Sequence, residues 1–151
     1  MAYQGTPSYS GAPASQYSDW IHRVGAYVID GLPSIAIFIV AYILLIIFSA
    51  IHVGFLGVLF FLVGIIASFA WGVYNRWILG GQGQSLGKKQ LNMRLLSEET
   101  GQPIGTLNAF LRDICHVVDG IICYVGYLFP LWDEKRQTLA DKIMKTVVVP
   151  A

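Results

Sequence analysis

Charged side chains are scarce in this sequence. Its 151 residues include 10 Lys or Arg and 9 Asp or Glu, and none of these lies in the 45 positions from 31 to 75. Only 13% of the residues are charged and 55% are hydrophobic, whereas soluble domains average about 25% charged residues. This composition excludes an ordinary soluble domain and indicates a membrane protein. The formal net charge of +1 provides no basic field to recruit nucleic acid, so we expect the lipid bilayer as partner and no nucleic acid.

Motifs for chemistry are also missing. Cys115 and Cys123 are eight residues apart, about 12 Å along a continuous helix and too far for a disulfide, and the three histidines are too dispersed for a metal site. The glycine-rich segment 80–96 matches neither a Walker A loop nor a dinucleotide-binding fingerprint. A turn into a short interfacial helix, with Lys88 and Lys89 at anionic headgroups, explains it better. No motif pairs a nucleophile with a base, so we expect no metal, no cofactor and no enzymatic activity.

The charge-free segment is long enough for two membrane spans. Forty-five helical residues would extend about 67 Å, roughly twice the thickness of a hydrocarbon core. A break at residues 49–54 divides the segment into helices of about 24–51 and 55–79. Basic residues are absent from that connection but follow the second helix and close the chain. The positive-inside rule therefore predicts a multi-pass protein of the cell membrane with a cytoplasmic N-terminus.

A third apolar segment, residues 107–131, is interrupted by charge. Its 12 Leu, Ile, Phe or Val residues favour insertion by roughly 4 to 7 kcal/mol, which charged residues near the bilayer centre would offset. The charged residues are Arg112, Asp113 and Asp119. The sequence favours two short helices broken near Gly120, namely an amphipathic helix over 107–119 against the bundle and a re-entrant or partly inserted return. A conventional third span, with the C-terminus outside, is the alternative.

The remaining segments are expected outside the bilayer. Residues 93–96 and 147–149 are suited to short strands, and their pairing would hold both on one membrane face. Residues 1–18 contain no Lys, no Arg and no apolar run, which predicts a disordered polar tail and not a signal peptide. The expected architecture is an all-α membrane domain over residues 19–149 with a small cytoplasmic β-pairing.

Three blocks of the sequence form a recognisable pattern. Residues 23–30 (RVGAYVID) open the first membrane helix, residues 83–94 (GQSLGKKQLNMR) lie after the second, and residues 137–149 (QTLADKIMKTVVV) close the chain. Together they resemble the RDD family of small membrane proteins over about residues 20–149. The polar tail is similar to that of actinobacterial members of the proline-rich antigen type, although it is shorter and poorer in proline.

The resemblance implies a set of motif residues and a broad role. The family is named for one Arg and two Asp; Arg23 and Asp30 fit the first two, and the second Asp is either Asp119 or Asp141. The positions that match the motif are Arg23, Asp30, Gly83, Gly87, Lys88 and Asp141. For the family, transport is suspected, and ion exchange has been proposed for some members.

Arg and Asp residues recur in the same order on two predicted helices. Arg23 and Asp30 lie two turns apart on one face, about 10.5 Å along the axis, and Arg112, His116 and Asp119 follow at i, i+4 and i+7 on another helix. If both helices enter from the cytoplasm they run parallel, which brings Asp30 level with Asp119. Two such carboxylates cannot both ionise cheaply unless a cation, an Arg or water intervenes.

This arrangement leads to one functional hypothesis and one structural alternative. In the first, Asp30 and Asp119 form a proton or monovalent-cation site that Arg23 and Arg112 tune, with His116 beside it. In the second, the helices are staggered by one turn, so that Arg112 neutralises Asp30 and the polar set only stabilises packing.

Two functions follow from these alternatives. The first is a small ion- or proton-coupled transporter or transporter subunit, which would need to form a homo-oligomer because two spans and a re-entrant segment scarcely enclose a path. The second is a non-catalytic membrane adaptor or assembly protein that binds a membrane-protein partner. Gly64, Ser68 and Gly72 recur every four residues, a stripe that suits packing within the chain or between copies equally well.

Overall fold

The computed structural model describes residues 14–122 and 124–151, so most of the predicted tail lies outside the described residues. Ala14–Gln16 form a short 3-10 helix, and Tyr17 and Ser18 are buried. The Ser18 N–H donates to the Val148 carbonyl at 2.9 Å. Packing against the domain therefore begins before the boundary that was predicted at residue 18.

Two long apolar helices form an antiparallel hairpin. α1 spans Trp20–Ala50, and α2 spans Gly54–Gly72 and continues into a π-helical stretch, Val73–Leu79. Both helices are long and apolar enough to cross a membrane, which confirms the prediction of two long apolar helices. α1 begins earlier than the predicted residue 24 because the Asp19 carboxylate accepts the His22 N–H at 2.9 Å and caps the helix.

Small side chains let the two helices approach closely. A Cβ atom on Gly64 would lie 2.4 Å from the Ala41 Cβ atom. The Ser34 and Ser68 hydroxyls each donate to the other residue's carbonyl, at 3.4 and 3.3 Å. Gly72, in contrast, has no such neighbour within 4 Å. Two members of the small-residue stripe therefore serve packing within the chain, a choice that the sequence left open.

The outer surface of the hairpin is apolar. Phe55, Ile66 and Phe69 are 78%, 66% and 68% exposed, although side chains of this size are normally buried in a soluble protein. Apolar side chains on the surface are favourably solvated by hydrocarbon and not by water. The fold is therefore that of an all-α membrane protein with a small sheet.

A small platform lies at the end of the hairpin where the chain enters α1. It consists of α3 (Leu86–Gln90), β1 (Met93–Ser97), α6 (Leu139–Met144) and β2 (Thr146–Pro150). The strands pair antiparallel, with Leu96 opposite Val147, which confirms the predicted pairing. Met93, Leu95 and Val148 of the two strands share a core with Ala26 of α1 and with Ala109, which lies near the start of the helix that follows β1. The end of the chain is thus tied to the residues that follow the second span.

The third apolar segment is broken, as predicted. α4 spans Thr106–Ile121 and α5 spans Val125–Leu128, followed by a 3-10 turn, Phe129–Leu131; the two parts meet at an angle of 106°. The break lies slightly beyond Gly120, next to Tyr124, which has a left-handed φ of 62°. A single crossing would place β1 and β2 on opposite faces of the bilayer, so their pairing excludes the conventional third span.

Candidate functional site

Polar side chains converge where the hairpin meets the platform, and Asp141 is at the centre of one cluster. The Arg23 Nη1 group donates to Asp141 Oδ2 at 2.8 Å, and the Arg112 Nε group donates to Oδ1 at 2.7 Å. The Thr146 hydroxyl donates to Oδ1 at 2.9 Å, and the Thr138 N–H donates to Oδ2 at 3.2 Å. Three segments of the chain, α1, α4 and the α6–β2 region, therefore meet at one carboxylate.

The charge of Asp141 is strongly stabilised despite its complete burial. Burial alone would raise the pKa of Asp141, but the Arg112 and Arg23 guanidinium groups outweigh it and hold this pKa well below its usual range. Both arginine side chains are only 12% exposed, and Asp141 is not exposed at all. We call this arrangement a closed ion-pair cluster, because the Asp141 carboxylate is shielded from solvent and paired with two guanidinium groups.

Local sequence explains the position of Asp141. Thr138 precedes α6, and its hydroxyl accepts the Asp141 N–H at 3.1 Å while the Asp141 carboxylate accepts the Thr138 N–H. This reciprocal arrangement is a capping box, which orients the aspartate toward the helix start. The Thr-x-x-Asp spacing was therefore a readable signal for Thr138, which sequence reasoning did not use.

Asp30 forms a second cluster with different partners. Its carboxylate accepts the Asn75 amide at 2.8 Å, the Gly87 N–H at 2.7 Å and the Ser85 hydroxyl at 2.7 Å. The Asn75 side-chain carbonyl in turn accepts the Leu86 N–H at 2.8 Å. These bonds join α1, the π-helical end of α2 and the start of α3. Sequence reasoning missed Asn75 and Ser85, since both are common residues at the ends of apolar segments.

Glycines allow this close approach. A Cβ atom on Gly87 would lie 2.0 Å from the Ala26 carbonyl oxygen, so α3 packs against α1 only because residue 87 has no side chain. Gly83 adopts a left-handed φ of 107°, a conformation that favours glycine, and its carbonyl accepts the Leu95 N–H at 2.7 Å. The two motif glycines thus have structural roles in placing Ser85 and Lys88.

Lys88 lies between the two clusters. Its ammonium group donates to the Ser85 hydroxyl at 3.3 Å. Burial lowers the pKa of Lys88 from 10.5 to about 8; repulsion by Arg112 acts in the same direction, and attraction by Asp30 and Asp141 opposes it. An amine with this pKa gains and loses its proton near neutral pH.

Asp119 belongs to a third cluster at the bend after α4. It is fully buried; its Oδ2 atom lies 2.6 Å from the His116 Nδ1 atom, and its Oδ1 atom accepts the Leu139 N–H at 3.1 Å. The His116 ring stacks on Tyr127, with ring centroids 5.2 Å apart. A Cβ atom on Gly126 would lie 2.6 Å from the Asp119 Cα atom. The cluster therefore fastens the returning segment against α4 and α6.

The structure brings the predicted site residues together in a different combination. Arg23 and Arg112 meet at Asp141, whereas Asp30 and Asp119 each bind other groups, and within residues 14–122 and 124–151 they share no hydrogen-bond partner. Among the described residues, the structure therefore shows no hydrogen-bonded site that Asp30 and Asp119 share. The alternative, in which Arg112 neutralises Asp30, is wrong, because Arg112 binds Asp141.

The oxygen atoms of Asp30 and Ser85 limit which ions this region could bind. Within the described ranges, no three His, Cys, Asp or Glu side chains converge in the manner of a metal centre. The Asp30 carboxylate and the Ser85 hydroxyl do provide adjacent hard oxygen atoms beside the amine of Lys88. Such a set suits a proton or a singly charged cation better than a transition metal.

Comparison with known proteins places the chain in a family. Residues 17–145 match the RDD family. In an alignment 162 residues long, the chain is 36% identical to the proline-rich antigen of Mycobacterium leprae (strain TN), and the alignment covers 95% of this chain and 65% of that protein. It is 37% identical over 156 residues to the proline-rich antigen homolog of Mycobacterium tuberculosis (strain H37Rv), covering 91% of this chain and 65% of that protein.

These matches show the family of the chain and not an activity. The chain spans about 65% of the length of the curated relatives it matches, and no solved structure matches it. The family match extends over most of the chain and over both apolar helices. The protein is therefore an integral membrane protein that belongs to the RDD family.

Proposed function

We propose that this protein is a small transport subunit of the cell membrane that exchanges a proton for a monovalent cation at Asp30, Ser85 and Lys88. One observation carries the proposal: the Ser85 hydroxyl donates to the Asp30 carboxylate at 2.7 Å and accepts from the Lys88 ammonium at 3.3 Å. An acid and an ionisable amine thus share one hydroxyl at the end of a membrane span. Intramembrane ionisable residues of this kind mark ion and proton pathways.

The exchange follows from charge balance. Protonated Lys88 carries one positive charge next to Asp30, and when Lys88 releases its proton this charge is lost. A monovalent cation that binds the Asp30 and Ser85 oxygens restores it, so that one proton leaves for each cation that enters. A pKa of about 8 for Lys88 makes both protonation states accessible near neutral pH.

The proposed setting follows from the distribution of charge and from the size of the chain. Arg76, Lys88 and Lys89 lie at the platform end of the hairpin, which by the positive-inside rule faces the cytoplasm together with the N-terminus. Two spans and a broken third segment scarcely enclose a path, so a second copy or another membrane protein completes it. No enzymatic activity is part of this proposal.

The test is cation-driven proton movement in proteoliposomes. With a pH dye inside vesicles of phosphatidylethanolamine and phosphatidylglycerol, added Na⁺ or K⁺ should change the internal pH only when the protein is present. Asp30→Asn should reduce this signal to that of empty vesicles. The matched control is Asp113→Asn, because Asp113 is also a hydrogen-bonded acid but binds Arg76 and Trp77.

Lys88→Met tests the coupling separately from cation binding. Cation uptake, measured with a fluorescent indicator, should continue while its link to internal pH disappears. Signals from the native protein that never exceed those of empty vesicles, or an unchanged signal with Asp30→Asn, would contradict the proposal.

A second candidate is a non-catalytic membrane adaptor or assembly protein. The observation in its favour is that the Asp141 carboxylate accepts hydrogen bonds from Arg23, Arg112, Thr138 and Thr146, which is typical of a cluster that stabilises a fold. In this case a membrane protein should co-purify in fixed stoichiometry. Deletion of residues 1–13, which leaves the buried Tyr17 and Ser18 in place, should release that partner, whereas Asp30→Asn should not.

A further inference from the structure

The orientation of α4 is unusual for an amphipathic helix, because its polar side faces the protein. Arg112 donates to Asp141, and Asp113 accepts the Arg76 guanidinium and the Trp77 indole N–H, both at 2.9 Å. His116 and Asp119 bind each other, and Asp119 also accepts a backbone N–H of α6. All the charged side chains of α4 are thus engaged within the chain.

The opposite side of α4 is exposed and apolar. Leu107, Leu111, Ile114, Val118 and Ile121 follow one another at spacings of four, three, four and three residues, and all are exposed. Such spacing places them in one stripe along the helix. From residue 109 to the end of α4, each exposed residue is Leu, Ile or Val. Water would be an unfavourable neighbour for a stripe of this length.

The attachment of α4 fixes its depth relative to the membrane. The ring of Phe110 packs edge-on against Trp77, with centroids 4.7 Å apart, and Asp113 binds Arg76. Trp77 and Arg76 lie in the last turns of the second apolar helix, which ends at Leu79. Tryptophan and arginine at the end of a span lie at headgroup level, so α4 passes through the same level.

We propose that α4 is an interfacial helix whose apolar stripe is immersed in the acyl chains of the monolayer on the platform side. Phe110 and Asp113 hold α4 against the last turns of a span whose outer surface is apolar, so the exposed stripe lies on a helix attached at the end of that span. The inward polar side, held by ion pairs to α2 and α6, keeps the helix oriented with its apolar side outward. An interfacial helix buries its apolar face about 5–10 Å into the boundary between headgroups and acyl chains. In this role α4 anchors the platform to the bilayer independently of the two spans.

Site-directed spin labelling in vesicles tests this assignment. Nitroxide labels are attached one at a time at positions 107, 111, 114, 118 and 121 of a cysteine-free full-length variant with unchanged thermal unfolding, in vesicles of phosphatidylethanolamine and phosphatidylglycerol. Collision rates are measured with oxygen, which partitions into hydrocarbon, and with a water-soluble nickel chelate. Position 69 on α2 is the lipid control, and position 99 in the turn after β1 is the water control, since Phe69 and Glu99 are both well exposed.

The proposal predicts a ratio of oxygen to nickel collisions that is well above that at position 99 and approaches that at position 69, because the apolar side of an interfacial helix lies among acyl chains. Water-like ratios at the five positions would overturn it, because they would mean that the stripe faces solvent. Low collision rates with both reagents would also overturn it. If dipolar broadening accompanied them, a second copy of the chain would cover the stripe; without broadening, the chain itself would cover it.

Discussion

The Asp141 and Asp30 carboxylates both accept several hydrogen bonds at the junction of the hairpin and the platform, but they differ in the charge of their donors. Asp141 is held by two arginines and two threonines, so positive charge exceeds negative charge around it. Asp30 is held by an amide, a hydroxyl and a backbone N–H. A carboxylate paired with permanent cations is closed to other ions, whereas one held by neutral donors still attracts a cation.

One helix supplies both environments. Arg23 and Asp30 lie two turns apart on α1, and each is bound by a different part of the platform: Arg23 by Asp141 near α6, and Asp30 by Ser85 and Gly87 at α3. The two charges of the α1 motif, Arg23 and Asp30, therefore do not pair with one another. Arg23 belongs to the buried ion-pair cluster around Asp141, whereas Asp30 accepts hydrogen bonds from neutral donors beside Lys88, at the site that we propose for cation exchange.

The largest expected effect comes from removing the Asp141 carboxylate. Asp141→Ala should lower the free energy of unfolding by about 3–5 kcal/mol, because it leaves two buried guanidinium groups without their counter-charge. The loss can be measured by titration with SDS in mixed micelles. The control, Asp113→Ala, should cost only about 1 kcal/mol, since its partner Arg76 is 43% exposed. Equal losses for the two variants would remove the distinction between a closed cluster and an ordinary ion pair.

A smaller loss is expected from a methyl group next to the Asp30 cluster. Gly87→Ala places a Cβ atom 2.0 Å from the Ala26 carbonyl oxygen and should cost about 1–3 kcal/mol, because α3 has to move away from α1. Gly31→Ala is the matched control, since no atom other than those of its own helix and chain neighbours lies within 4 Å of its Cβ position. Thermal unfolding in detergent should separate the two variants. A tolerated Gly87→Ala substitution would contradict the close approach that positions Ser85 and Lys88.

Lys88 provides a prediction for pH dependence. Because its folded pKa is about 8 and its ordinary value is 10.5, the folded protein binds fewer protons than the unfolded protein between these values. The free energy of unfolding should therefore rise as pH increases from about 8 to 10.5. Lys88→Met should flatten this rise and should stabilise the protein at pH 7 by about 1–2 kcal/mol, since it removes a charge that is costly to bury. A rise of the same slope in the variant would assign the titration to another group.

The smallest effect is expected within the bilayer, away from both carboxylates. Ser68→Ala removes one of two reciprocal hydroxyl–carbonyl hydrogen bonds with Ser34, at 3.3 and 3.4 Å. Such bonds contribute about 0.6 kcal/mol on average in membrane proteins, and a double-mutant cycle with Ser34→Ala measures the coupling. A coupling energy as large as the Asp141 effect would mean that the hairpin, and not the junction with the platform, carries most of the polar stabilisation.

Much of the fold was predictable because its signals are local. A charge-free segment of twice the bilayer thickness predicts a hairpin, and the β-branched end of the chain predicts a strand. The break in the third segment followed from Arg112, Asp113 and Asp119, whose insertion is costly. The rotation of α4 about its own axis was not predictable from the same residues. Periodicity identifies an amphipathic helix but does not show which of its sides faces the protein.

The candidate site was only partly predictable. Arg23, Asp30, Lys88, Arg112 and Asp141 were all identified as candidates, but their pairing was not. Arg23 and Asp141 are 118 positions apart in the sequence, so no spacing rule connects them. Asn75 and Ser85 carry no charge and had no distinguishing pattern, although both donate to the Asp30 carboxylate.

The amino-acid pattern alone was enough to predict a membrane protein with two long apolar helices, a broken third segment and a small set of ionisable residues near the bilayer. Hydropathy and chain length decide these features through the cost of placing charge and unpaired backbone in hydrocarbon. The folded structure was needed to show that Arg23 and Arg112 converge on Asp141. It also shows that Asp30 has neutral donors beside Lys88, and that the polar side of α4 faces the protein. These choices depend on contacts between distant segments, where desolvation and charge pairing are settled by packing and not by local pattern.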